Sequence, residues 1–257
     1  MTSESYTLGR STHRALFVAA NEVRLLTVDP FPIILLIAIP SLIASFISSG
    51  LIGGAATAVP GLAALFGFFG LNMIGLAFYR DHGWGTWARL RTTGASLPEI
   101  VLGKLIPLIG LFLAQQAVLL TFGVVVLNMP WRGSVGAGIV AVACIVAVEM
   151  AIGLLFAAIC RTINQLNVLC MLGGLLLAGL GGALAPVSTF PAWVRHLAPL
   201  SPAYWALRML RGVLVHGDGL RELAGPAAVL LAIAAVAGGL AIFKLRAEDV
   251  KEFYAPG

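Results

Sequence analysis

Charge is scarce in this sequence. Its 257 residues include 16 Lys and Arg and 11 Asp and Glu, 11% in all, against 60% hydrophobic residues. An ordinary soluble domain carries about 25% charged residues. So few charges cannot cover the surface of a water-soluble protein of this size. A soluble enzyme, a disordered chain and a basic nucleic-acid binder are therefore excluded. The net charge of +5 reads instead as Lys and Arg beside anionic lipid. The class is a polytopic membrane protein.

Other scarcities narrow the chemistry. The three cysteines, Cys144, Cys160 and Cys170, lie in or beside apolar runs, with no C-x-x-C spacing. An odd count in such places excludes a disulfide framework and a thiolate metal site, leaving small packing residues. All four histidines, His13, His82, His196 and His216, fall in expected loops. Intramembrane Ser–His or His–metal catalysis thus lacks its base or ligand. No paired-Asp motif offers Mg²⁺ a site. No P-loop occurs either, because Gly103-Lys104 lacks the upstream Gly and the following hydroxyl. The chain is not expected to be an enzyme by itself, to hold a metal or to bind a cofactor.

What is abundant is uncharged apolar sequence. No charge occurs between Asp29 and Arg80, between Lys104 and Arg132, between Arg161 and Arg195, or between Glu222 and Lys244. A span needs about 20 residues to cross roughly 30 Å of hydrocarbon. The first run is long enough for a helical hairpin, with Gly50, Gly53, Gly54 and Pro60 marking its turn. Six spans follow, at about 30–53, 59–79, 105–128, 135–160, 166–186 and 223–243. The runs are continuous rather than alternating, which argues for helices over a β-barrel. With the N-terminus inside, the inner segments hold most of the Lys and Arg, so both termini are expected in the cytoplasm. No small-residue cleavage site follows a short apolar stretch, and a cleaved signal peptide is not expected.

Three segments stand outside the plain spans. In 10–29, Leu16, Ala19, Ala20, Val23 and Leu26 share one helical face, and Arg14, Asn21 and Glu22 lie away from it. This reads as an amphipathic helix at the membrane interface. The loop 80–104 should break at Gly83 and Gly85, carry a short helix from Thr86 to Leu90 and end it at Gly94. A new helix should start at Ser96, with Glu99 in the capping-box position. Trp84, Trp87, Arg89, Leu90 and Arg91 could anchor that short helix to lipid or to another protein equally well. The outer segment 187–222 contains a helical stretch from Ala203 to Val215. Tyr204, Leu207, Leu210 and Leu214 share one face of it, and Arg208 and Arg211 share another. A re-entrant hairpin in the outer leaflet fits that pattern.

Polar residues at depth are few. Glu149 is the acidic residue well inside a span and a functional candidate by default. Gln115 and Gln116 are candidate hydrogen-bond partners for it, and a structural contact by protonated Glu149 outweighs a proton relay. Asn72 adds polarity in span two. Phe66, Phe69 and Met73 share one face of that span, either as core or as the lining of a path for an apolar solute. Gly174, Ala178 and Gly182 repeat at the spacing that lets helices approach closely.

The loop and outer segment together resemble the membrane permease of a type-2 ABC transporter, most of all drug-resistance exporters of the daunorubicin-efflux type. The residues that carry the likeness are Trp84-Gly85-Thr86-Trp87, Arg89-Leu90-Arg91, Ser96-x-x-Glu99-Ile100 and Leu102-Gly103-Lys104. Pro199-Leu200-Ser201-Pro202-x-Tyr204 and Arg208 follow before span six. Asp81 takes the family's acidic place, and the Pro common after its Leu-Arg element is replaced around Gly94. The likeness covers nearly the whole chain, 1–257, as one permease domain. It implies an all-α protein of six transmembrane helices in a bacterial inner membrane, with an interfacial N-terminal helix and an outer re-entrant hairpin. It also implies two copies of a separate ABC ATPase, which bind ATP and Mg, and a second permease copy or a related half. Trp84, Thr86, Trp87, Arg89, Leu90 and Arg91 would receive the ATPase motion. Phe66, Phe69, Asn72 and Met73 of span two, and Leu172 and Leu176 of span five, would face the substrate path. Tyr204 and Arg208 would belong to the outer gate. The solute would be a hydrophobic or amphiphilic drug, antibiotic or lipid. A lipid-linked glycan is the alternative cargo, with a membrane enzyme or a scaffold without transport behind it.

Overall fold

The computed structural model describes residues 16–48, 50, 54–83 and 96–247. Among them the protein is all-α. A first helix, α1 (Leu16–Val28), meets α2 (Phe31–Ile47) at 69°. The break falls at Asp29 and Pro30, where proline removes a helical N–H donor. Next come α3 (Ala55–Phe69) and α4 (Leu71–Gly83), which run on through Gly70 as span two. The long helices α5 (Leu97–Val125) and α6 (Val135–Ile159) are spans three and four. Span five is α7 (Ile163–Val168), a π turn at Leu169–Gly173, and α8 (Gly174–Leu180). A short α9 (Ala192–Leu197) and α10 (Pro202–Arg211) form the segment before α11 (Leu220–Ala247), which is span six. Among the described residues five helices are long and apolar enough to cross a membrane, or six if the bent pair α1–α2 is one span. The protein is an all-α polytopic membrane protein.

Local sequence sets the helix ends. Ser96 and Glu99 form the expected capping box, and the Ser96 N–H donates to the Glu99 carboxylate at 2.8 Å. That helix does not stop at a loop boundary. It continues unbroken into span three, so the span begins two turns before the position that charge alone marks. Ser134 and Thr162 cap α6 and α7 by accepting from Ala137 N and Gln165 N. Pro60 does not mark a turn; it lies inside α3. Gly54 directly precedes α3 at φ 56°, a conformation that side chains resist, and Gly53 lies outside the described residues.

Span two is the centre of the bundle. In its most apolar window 78% of the residues are buried, against 22% in spans five and six. It contacts spans one, three, four and five as well as α10. Close approach to span five falls at Gly174, where a Cβ would lie 2.8 Å from the Phe68 carbonyl oxygen. Gly174 and Ala178 are buried, so two members of the small-residue repeat serve packing within this chain. Span four packs along span six more extensively than any other helix pair. All three cysteines are buried and free, in keeping with packing.

The face of α1 differs from the amphipathic reading. Val18, Ala19 and Glu22 are buried, whereas Leu16 and Val23 are exposed. An apolar residue can face lipid at no cost, but Glu22 needs cations, and it finds them inward.

Candidate functional site

Four charges meet at the end of the bundle where α1 crosses spans two and three. Glu22 is 2% exposed and Lys104 1%. Lys104 Nζ donates to Glu22 Oε1 at 2.7 Å and to the Ala77 carbonyl at 2.7 Å, and it is also paired with Asp81. Two of its three N–H donors are thus hydrogen-bonded, and the Asp81 carboxylate adds an ion pair. Arg80 closes the set on the other oxygen of Glu22. Two positive and two negative side chains therefore balance, which is what burial of charge demands. Phe78 lies below Lys104 with its centroid 5.7 Å from Nζ. Beside the network is a cleft of about 190 Å³ reached by Met73, Leu76, Asp29 and Leu108.

This network joins the first helix to the ends of spans two and three, on either side of 84–95. Trp84, Thr86, Trp87, Arg89, Leu90 and Arg91 lie outside the described residues. Sequence reasoning placed Lys104 at a loop edge and Glu22 on an outward face, and so missed the joint. The signal was the unpaired Lys104 within a helix already capped at Ser96.

At mid-depth the polar groups are differently placed. Glu149, Gln115 and Gln116 are fully buried. Glu149 lies against Gly67 of span two, where a Cβ would overlap Glu149 Oε1. Only glycine admits the carboxyl at that turn. Gln116 Nε2 donates to the Ala63 carbonyl at 3.3 Å, one turn earlier on the same helix. Neither carboxyl oxygen of Glu149 has a hydrogen-bond partner among the described residues, and the same holds for both side-chain polar atoms of Gln115 and for Asn72 Oδ1. Gln115 and Gln116 are thus not hydrogen-bonded to Glu149.

Phe66, Phe69, Asn72 and Met73 form one half-buried stripe along span two. The two phenyl rings meet edge to face at 5.7 Å. Leu172 and Leu176 lie on the outward face of span five, 53% and 70% exposed. Both line a cleft shared with the end of span four, and Leu176 also lines one shared with spans four and six, rather than with the Phe66 stripe. The structure therefore puts the two sets of path residues on separate surfaces of one chain.

The opposite end is organised by α10. Ala203, Ala206, Leu207 and Leu210 are buried, while Arg208 is exposed. The helix packs on spans two, four, five and six. Ser201 Oγ donates to the Leu177 carbonyl, and Arg211 Nη2 to the Gly182 carbonyl at 3.1 Å. Arg132 N and Gly133 N donate to Leu214 and Val213, fastening the following π turn to the span three–four loop. Tyr204 packs edge-on against Trp205 at 5.3 Å, and Arg208 lies 5.7 Å over the Trp205 ring. Tyr204 and Arg208 line one cleft of about 420 Å³ with Arg211, His216 and Asp218.

Among the described residues no group of His, Cys, Asp and Glu could hold a metal ion. Residues 17–215 match the ABC-2 type transporter family. The linearmycin resistance permease protein LnrN of Bacillus subtilis (strain 168) is 27% identical over 168 residues, 63% of this chain and 42% of the relative. The chain thus spans about two fifths of that relative's length.

Proposed function

The chain belongs to the ABC-2 type transporter family, and from that premise we propose that it is the permease subunit of an ATP-driven exporter in a bacterial inner membrane. Its solutes are hydrophobic or amphiphilic, in the class of drugs, antibiotics and lipids. Hydrolysis takes place in a separate ABC ATPase, present as two copies that bind ATP and Mg, and no nucleic acid takes part. Both termini and the Glu22–Lys104 end face the cytoplasm, and the α10 end faces outward.

The observation that carries the reading is the buried joint of Glu22, Arg80, Asp81 and Lys104. It fixes α1 to spans two and three on both sides of the loop that would meet the ATPase. A push on Trp84, Thr86, Trp87, Arg89, Leu90 and Arg91 then moves three helices as one body. Nucleotide binding shifts the balance between inward- and outward-facing states, and Tyr204 and Arg208 take part in closing the exit. Phe66, Phe69, Asn72 and Met73 lie apart from Leu172 and Leu176 in one chain, which supports a second permease copy, identical or related, to complete the path. The apolar character of both sets favours a lipid or drug over a lipid-linked glycan.

Co-expression with a candidate ATPase tests this reading. The expected result is co-purification, with hydrolysis lowered by Arg89→Glu or Trp87→Ala while membrane insertion is kept. Unchanged hydrolysis in either variant counts against the loop assignment, and failure to bind any ATPase counts against the exporter.

A further inference from the structure

The last turn of α10 carries two arginines, Arg208 and Arg211. They stand three residues apart and line the same cleft of about 420 Å³, so their guanidinium groups are neighbours that repel one another. Among the described residues neither arginine is ion-paired. The one carboxylate in the lining, Asp218, is turned against Gly212, where a Cβ would overlap its Oδ2. Residues 49 and 51–53, which lie outside the described ones at this end of the bundle, carry no charge.

Arg211 is the more enclosed of the two. Its Nη2 donates to the Gly182 carbonyl at 3.1 Å, which ties α10 to the chain leaving span five. Its Nε is buried and has no hydrogen-bond partner among the described residues. A guanidinium offers five N–H donors in a planar fork, and one left unmade in a buried place is destabilising. Arg208 is exposed at the rim and lies over the Trp205 ring. The dipole of a helix attracts cations to its C-terminus. That accounts for basic residues in this turn but not for a buried donor without an acceptor. Tyr204 and Ser188 add hydroxyl groups to the lining, and the exposed His216 stands beside them. The cleft has the size of a small-ligand site.

We propose that this cleft binds a phosphate group, held between the guanidinium groups of Arg208 and Arg211. Arginine forks meet phosphate oxygens with paired, charge-assisted N–H···O bonds. The Arg211 Nε–H gains its acceptor, and the bound charge relieves the repulsion between the two cations. Two forks and two hydroxyl groups suit a tetrahedral phosphate, with its several acceptor oxygens, better than a planar carboxylate. Asp218 stays beside the site and weakens it. Residues 181–188 and α10 both contribute to the lining, so a bound phosphate joins the chain leaving span five to that helix. The site goes beyond the exporter reading, and binding needs neither ATP nor an ATPase. Failure to export leaves the site standing, and failure to bind phosphate leaves the exporter standing.

The test uses the full chain in dodecyl maltoside, a detergent without phosphate, dialysed to equilibrium against radiolabelled inorganic phosphate at an ionic strength fixed with chloride. Saturable binding of a single phosphate per chain is expected. Arg208→Gln, at an exposed position, and Arg211→Gln should each weaken it about tenfold, a change of about 1.4 kcal/mol. Asp218→Asn should tighten it about threefold by removing a like charge, a gain that damage to the fold cannot produce. Arg195→Gln, outside the cleft lining, should leave it unchanged. Dihexanoylphosphatidic acid, added below its micelle-forming concentration, separates the two sources of a phosphate group. Displacement of the label at a lower concentration than unlabelled phosphate supports the site as one for a lipid head, and weaker displacement supports it as one for free phosphate. Binding that does not saturate, or that is equal in Arg208→Gln and Arg195→Gln, would overturn the proposal. So would displacement by acetate at the same concentration as by phosphate.

Discussion

Two polar sets are buried in this protein, and they are built on opposite principles. At one end Glu22, Arg80, Asp81 and Lys104 balance in charge, and Lys104 has two hydrogen bonds and an ion pair with Asp81. At mid-depth Glu149 and Gln115 are as deeply buried, yet none of their side-chain polar atoms is hydrogen-bonded among the described residues. A charge-paired buried network costs much to break, whereas a buried polar group without a partner costs stability while intact. The first set suits a rigid joint that transmits force. The second suits a loosely held contact between spans two and four, kept close by the notch at Gly67.

The largest effect that separates them is expected at Lys104. Lys104→Met removes the cation that Glu22 and Asp81 share and should lower stability by about 3–5 kcal/mol, read as a fall in thermal unfolding temperature in detergent. Adding Glu22→Gln should recover part of that loss, and strict additivity of the two changes would break the idea of one network. Next in size is Gly67→Leu, which drives a side chain into Glu149 and should cost about 1–3 kcal/mol; a smaller cost in a Glu149→Ala background would locate the clash. Glu149→Met removes an unpartnered polar group and should raise stability by about 1 kcal/mol, seen in the same unfolding assay. The smallest effect is expected of Glu149→Gln, within about 0.5 kcal/mol and with export retained. Loss of export from that change in a normally assembled protein would make Glu149 a working group rather than a contact.

The sequence makes one set more legible than the other. Glu149 stands out because a carboxylate in a long apolar run has no surface explanation, although nothing marks Gly67, 82 positions away, as its neighbour. The end network is hidden by the rule that otherwise orients the chain: Lys and Arg near a span edge read as interfacial. Lys104 lies inside a helix that already begins at Ser96, and its partner Glu22 is distant in sequence, so only folding brings the charges together. Local signals fared better. The Ser96–Glu99 box and the break at Asp29-Pro30 stand in the structure where short-range chemistry puts them, because caps and prolines act within a turn. Pro60 misleads for a related reason, since the helix already begins after Gly54 and the proline lies inside it. The outward face of α1 misleads because apolar residues near a membrane need no protein partner.

The most direct test of the exporter account is ATP-driven uptake of a fluorescent long-chain amphiphile into inverted vesicles that contain the permease with its co-purified ATPase. The account predicts accumulation only with ATP and Mg, a strong reduction in Lys104→Met vesicles matched for assembled protein, and near-normal uptake with Glu149→Gln. Uptake that is independent of ATP, or equal in Lys104→Met and wild-type vesicles, would contradict it.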